Sequence, residues 1–213
     1  MIVGIDFSIK SPAATVITNG GEFHFYTFAR NSVAREDFFI TLKNHGVNVV
    51  NIPDEAGLSK KALLTERERS STADGIMQVE SITQALSAWE FSEDDQIAIE
   101  GFSFGSTGNR LAQISGYQWL LRYLLCQNCE IPVDNLWFFS PMTIKATAGK
   151  GNFKKEEMIQ AFLDQPLNNE LHAGMKNHPA EFQNKKGAWL KPIDDICDSF
   201  WVAKTLMKTI ATT

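Results

Sequence analysis

"MIVGIDFSIKSPAATVITNGGEFHFYTFA", residues 1–29, reads as three short strands joined by tight connections. "MIVGIDFSI" and "AATVITN" flank Ser11-Pro12, and "GEFHFYTFA" follows the turn formers Asn19, Gly20 and Gly21. Runs this short, rich in β-branched and aromatic residues and punctuated by turn residues, predict an antiparallel meander. Asp6 stands out within it. It sits among valine and isoleucine in the first strand, where an aspartate is a poor strand former and costly to bury alone.

Beyond the meander the elements alternate. "SVAREDFFITLKNHG" has helical character and a glycine stop, "VNVVNI" has the pattern of a short strand, and residues 53–72 read as polar and irregular. Residues 31–72 are accordingly expected to form an insertion or flexible arm. From Asp74, the apolar positions Ile76, Val79, Ile82, Leu86 and Trp89 recur at helical spacing. "QIAIEGF" follows as a buried strand, then a helix from about Asn109 to Leu125, a strand at "NLWFFS", a short helix after Lys154, and a last helix from about Ile193 to Ile210. The order βββ, α, β, α, β, α predicts an α/β domain with a mixed five-stranded central sheet flanked by helices.

The length of 213 residues suits one domain, residues 1–213, and 44% hydrophobic with 21% charged residues is an ordinary globular balance. No apolar run approaches a membrane span and "MIVGIDFSIK" has no basic leader, so a cytoplasmic protein is expected. Cys126 and Cys129 form a lone CxxC with no second pair, which favours reduced structural cysteines over a zinc site. The net charge of −5 argues weakly against nucleic acid. Distribution argues the other way: "SPMTIKATAGKGNFKK", residues 140–155, carries Lys145, Lys150, Lys154 and Lys155 without an acid, and Lys185, Lys186 and Lys191 form a second cluster.

The acids gather where the strands and the last helix end. Glu100 closes "QIAIE" as Asp6 interrupts "VGIDFS"; either alone reads equally well as a satisfied hydrogen-bonding carboxylate. In "KPIDDICDSF", residues 191–200, about 100° of rotation per residue places Asp195 about 60° and Asp194 about 40° from Asp198. The three share one face, while Ile193, Ile196, Cys197, Phe200 and Ala203 lean to the other. Carboxylates this close repel unless solvated, protonated or shared by a cation. Acids converging from two strands and a helix suit hard divalent ions, two of which can activate water and stabilise a leaving oxygen in phosphodiester displacement.

These residues resemble the RuvC-type Holliday junction resolvases of the ribonuclease H-like superfamily. "MIVGIDFSIKSPAATVI", "IAIEGFSFGSTGNRLAQISGYQWLL", "SPMTIKATAGKGNFKKEEM" and "DDICDSFWVAKTL" are similar, in order, to that family's four motifs, excepting roughly residues 31–72 and 165–188. The resemblance implies a ribonuclease H-like fold and assigns metal ligation to Asp6, Glu100, Asp195 and Asp198, with Mg2+ as two ions and Mn2+ able to substitute. It leaves Asp194 as an outer or surface group. Lys155 is implied in catalysis; Phe104, Asn109, Arg110, Lys145, Lys150, Lys154 and Lys155 in contacts to DNA. The implied activity is resolution of four-way junctions and other branched DNA, leaving 5′-phosphate and 3′-hydroxyl ends, by a homodimer without membrane association. Weak overall similarity to bacterial forms suggests a phage or viral relative. Tyr117, Trp119 and Tyr123 make the helix after Glu100 bulkier than in the family, as an interface or as core.

Three alternatives are weighed against this reading. A general ribonuclease H-like nuclease for flaps, branched DNA or RNA–DNA hybrids needs the same acids. An actin-like kinase or ATPase also begins with a "VGIDFS"-like loop but duplicates its domain, and no second copy is present in the sequence. A non-catalytic junction-binding module gains nothing from buried, mutually repelling carboxylates.

Overall fold

The computed structural model describes residues 1–30, 35–52, 63–102 and 108–212, with residues 109 and 110 described by their backbone only. The meander forms as β1 (Ile2–Asp6), β2 (Ala13–Ile17) and β3 (Phe23–Arg30), each antiparallel to the next. β4 (Val47–Ile52) runs parallel to β3, β5 (Gln96–Glu100) parallel to β1, and β6 (Leu136–Phe139) parallel to β5. The sheet order is β4-β3-β2-β1-β5-β6. The sheet therefore has six strands rather than the expected five: "VNVVNI" joins the edge beside β3, with Val47 and Ile52 buried and Asn48 and Asn51 exposed.

Seven α-helices cover the sheet among the described residues: α1 (Glu36–Asn44), α2 (Leu64–Ser87), α3 (Asn109–Asn128), α4 (Pro141–Ala148), α5 (Lys155–Leu163), α6 (Glu170–Asn177) and α7 (Ile193–Ile210). The alternation of side chains along a strand divides them into two cores. Val3 and Ile5 of β1, Ala14 and Val16 of β2, and Ile97 and Ile99 of β5 pack with α2 and α3. Ala13, Phe25 and Ala98, from the opposite face, pack with α1, α5, α6 and α7.

Gly4 lies on this second face. A methyl group there would collide with the backbone nitrogen of Ala203 and the carbonyl oxygen of Ser199, so α7 lies in direct backbone contact with β1. The Thr15 and Ser199 hydroxyls, 2.8 Å apart and buried, add a link from β2 to the same turn of α7. Gly75 plays the same part between helices, since a Cβ there would strike the Tyr117 ring where α2 crosses α3.

The helices also correct the sequence reading. Residues 64–72, expected to be irregular, are the first turns of α2, with Glu66 reaching back 2.9 Å to accept from the Leu63 backbone N–H. Within the lysine-rich residues 140–155, where the sequence reading placed no helix before Lys154, Ser140 accepts from the Thr143 N–H at 3.2 Å, Pro141 occupies the first turn, and α4 follows. Asn169 similarly caps α6. The three cysteines are free. Among the described residues no helix is long and apolar enough to cross a membrane.

Candidate active site

Register brings the two strand acids together. Ile5 of β1 pairs with Ile99 of β5, so Asp6 and Glu100 follow at the same end of neighbouring parallel strands. Strand parity puts both on the face carrying Gly4 and Ala98, the face against which α7 is packed. Asp195 and Asp198 lie on α7 just before Ser199, one of its points of contact with the sheet. All four acids line one cavity of ≈ 450 Å3, beside Ser8, Ile9, Lys10 and Ser11 of the β1–β2 connection, Arg35, Lys155 and Lys191. It opens at the carboxyl ends of β1 and β5, where open α/β sheets commonly take ligands.

Hydrogen bonds fix the walls. The Ser11 hydroxyl donates to Asp195 Oδ2 at 2.6 Å, and Lys191 Nζ donates to Asp195 Oδ1 at 2.6 Å. Lys191 Nζ also stands 2.7 Å from Asp194 Oδ2, which accepts from Lys155 Nζ as well. From the opposite face two buried glutamines hold the strand ends. Gln78 on α2 donates to the Ser8 carbonyl at 2.9 Å, and Gln118 on α3 donates to the Glu100 carbonyl at 2.9 Å.

The electrostatics are those of crowded acids. Burial, then the charges of Glu100, Asp198 and Asp195, and a hydrogen bond with Glu100 hold Asp6 well above the usual carboxylate range. Burial likewise raises Glu100, with Lys145 and Lys155 opposing it. Burial and the neighbouring Glu100 charge push Asp198 up to about 7, against relief from Lys155. Asp195 is raised by burial and by Asp194, although Lys191 and Ser11 pull it down. Asp194 goes the other way: burial would raise it, but hydrogen bonds from Lys155 and Lys191 hold it below its ordinary value.

An oxygen-only set of buried, mutually repelling carboxylates has the donor chemistry of a hard divalent cation. As the side chains stand, no group of three or more His, Cys, Asp or Glu among the described residues is arranged to hold a metal ion, and one oxygen of Asp195 is taken by Lys191. The fit is therefore one of donor type and placement.

No protein-family model matches the chain, and no curated protein matches it in sequence. Solved structures do match in fold. RuvC from Thermus thermophilus aligns with a TM-score of 0.50 at 16% identity, covering 99% of this chain and 95% of that one. T. thermophilus RuvC in complex with Holliday junction substrate aligns with a TM-score of 0.53 at 10% identity, covering 99% and 94%. The fold is that of RuvC. A third match, the yeast mitochondrial Holliday junction resolvase Ydc2, has a TM-score of 0.48 at 19% identity, covering 99% of this chain and 80% of that one.

On this RuvC fold the four acids singled out in the sequence come from β1, β5 and α7 and face one space. Lys155 lines it too, and Lys145, half-buried on α4, acts on Glu100 through its charge. Lys150 and Lys154 are exposed and do not line the cavity. Phe104 lies outside the described residues, as do the side chains of Asn109 and Arg110. Asp194 is not a surface group: it is 8% exposed and ion-paired to two lysines.

Sequence reasoning passed over Lys10, Ser11 and Arg35, gave Lys191 no role at the site, and overlooked Gln78 and Gln118. One signal was available for Lys191, which lies only three and four residues before Asp194 and Asp195, within reach of both for so long a side chain. Gln78 and Gln118 carried none, because nothing local marks a glutamine as inward-facing.

Proposed function

We propose that the chain is a divalent-metal-dependent endonuclease that cuts four-way DNA junctions. The observation that carries this reading is the convergence of Asp6, Glu100, Asp195 and Asp198 on one cavity rimmed by Lys10, Arg35, Lys155 and Lys191. An acidic floor inside a basic rim suits a polyanion whose phosphate is to be attacked, since the rim draws in the strand and the floor supplies oxygen ligands. That RuvC of this fold is solved with a Holliday junction substrate favours the junction as the form of DNA.

In this proposal Asp6, Glu100, Asp195 and Asp198 hold two Mg2+ ions, for which Mn2+ can substitute. Bound there, such ions supply positive charge at the phosphodiester and lower the pKa of water. The chain's own groups do the rest. Ser11 fixes the Asp195 carboxylate, Gln78 and Gln118 hold the ends of β1 and β5, and Lys155 offsets charge at both Glu100 and Asp198. The proton associated with the Asp6–Glu100 hydrogen bond must leave before both carboxylates can ligate cations.

The test is cleavage of a labelled four-way junction beside matched duplex, flap and RNA–DNA hybrid, with Mg2+ and with chelator, by wild type and Asp6→Asn. Paired symmetric nicks near the crossover that need both metal and Asp6 are expected. Wild-type cutting by Asp6→Asn would remove the site assignment. Equal cutting of flaps or hybrids would replace the junction resolvase with a general nuclease of the same chemistry.

A further inference from the structure

Behind the cavity wall lies a bridge that the acid set does not require. Asp194 Oδ2 accepts from both Lys155 Nζ and Lys191 Nζ, the latter at 2.7 Å, so two ammonium groups from different segments meet on a single carboxylate oxygen. The depth order is informative. Asp194 has a side chain only 11% exposed and does not line the cavity, whereas Lys155 and Lys191 do line it, with side chains 58% and 44% exposed. The carboxylate thus stands behind and the cations in front.

Lys191 is also held by Asp195 at 2.6 Å, so the two lysines stand against two aspartates, and it is the exposed parts of the two ammonium-bearing side chains that line the cavity. Without the shared carboxylate Lys191 would keep its Asp195 partner, but Lys155 would lose the oxygen that brings it beside Lys191, and its flexible stem would spread into water. We propose that Asp194 is a positioning residue that holds Lys155 and Lys191 as a two-pronged clamp on one phosphate of a DNA strand entering the cavity. This rests on the reading of the cavity as a phosphodiester site, and it gives Asp194 and Lys191 roles distinct from metal ligation.

The discriminating experiment is metal-free binding of a four-way junction in chelator, followed across salt concentrations. Each phosphate engaged by a lysine adds about 0.9 to the slope of log affinity against log salt. Asp194→Asn removes a negative charge, so simple electrostatics predicts tighter, more salt-dependent binding. The clamp predicts the reverse, a slope shallower by about one, largely restored by Asp194→Glu. An unchanged or steeper slope for Asp194→Asn overturns the proposal.

If Asp194→Asn does not fold by circular dichroism, the lysines decide. Lys155→Gln with Lys191→Gln together should lose about one unit of slope because they share a phosphate, and a loss of two overturns the sharing. Absence of cleavage by wild type in Mg2+ would defeat the nuclease reading alone, because the slope is measured without metal.

Discussion

Asp198 shows how the crowded acids tie stability to pH. Its carboxyl is pushed up to about 7 in the fold, chiefly by burial and then by Glu100, against an ordinary 3.8. Between those values the folded chain keeps a proton that the unfolded chain has lost. The associated stability is therefore fully present below about 3.8 and is lost as pH rises through about 7. Asp198→Asn should flatten this dependence and raise the melting temperature in chelator at pH 8, as calorimetry across pH would show. Mg2+ should act in the opposite sense, binding more tightly as pH rises from 6 to 8 with release of protons, which titration calorimetry in buffers of different ionisation enthalpy would read. Ser11→Ala leaves Asp195 Oδ2 without its 2.6 Å donor. It should cost about 1–2 kcal/mol of alignment, seen as cleavage slowed roughly tenfold with Mg2+ saturating at higher concentration. At this scale the acids were legible because a carboxylate inside an apolar strand contradicts its surroundings. Ser11 was not, since a serine before a proline already has a sufficient explanation as a turn.

Elements explain why the acids meet at all. The three-strand start and α7 were readable because their periodicities are clean and the Asn19-Gly20-Gly21 turn is strong; α7 runs from Ile193 to Ile210 as expected. The start of α2 was not, because "LTERERSST" presents polar side chains all round and only Glu66 hints at a cap. α4 hid for a different reason: its short run of lysine, threonine and alanine shows no broad apolar stripe, and only Ile144 is buried. The decisive contact was equally silent, since a glycine in β1 gives no sign of which helix will press on it. Gly4→Ala should force α7 off the sheet, lowering stability by about 3 kcal/mol in urea unfolding. Activity should fall further than stability does, because Asp195 and Asp198 would move relative to Asp6. Gly75→Ala, which acts through the side chain of Tyr117 rather than through backbone, should be milder in cleavage for a similar loss of stability.

The whole molecule sets two cores on either side of one sheet, and the candidate site draws on both: α7 belongs to one, while Gln78 and Gln118 reach the strand ends from the other. One further surface bears on assembly. On α3, Trp119 and Tyr123 are 64% and 59% exposed, and the Arg122 guanidinium lies 4.6 Å from the Trp119 ring centre and 4.0 Å from that of Phe138 on the edge strand β6. A junction cut symmetrically needs two sites, and each chain supplies one such acid set. If this face joins two copies, Trp119→Asp with Tyr123→Asp should turn a dimer into a monomer by sedimentation and convert paired cuts into single nicks. An unchanged sedimentation coefficient would place any pairing elsewhere. The Gly4 contact has a mechanical corollary. Its touching points, Ser199 and Ala203, act as a fulcrum beneath α7. At about 1.5 Å of rise per residue, Asp198 lies roughly 4–5 Å from the middle of that support and Ile210 roughly 13–14 Å away on the other arm. Rocking of the helix is thus geared down by about threefold at Asp198 and by about 1.5-fold at Asp195 relative to its far end, so Asp198, the acid nearest the support, is the one held most still.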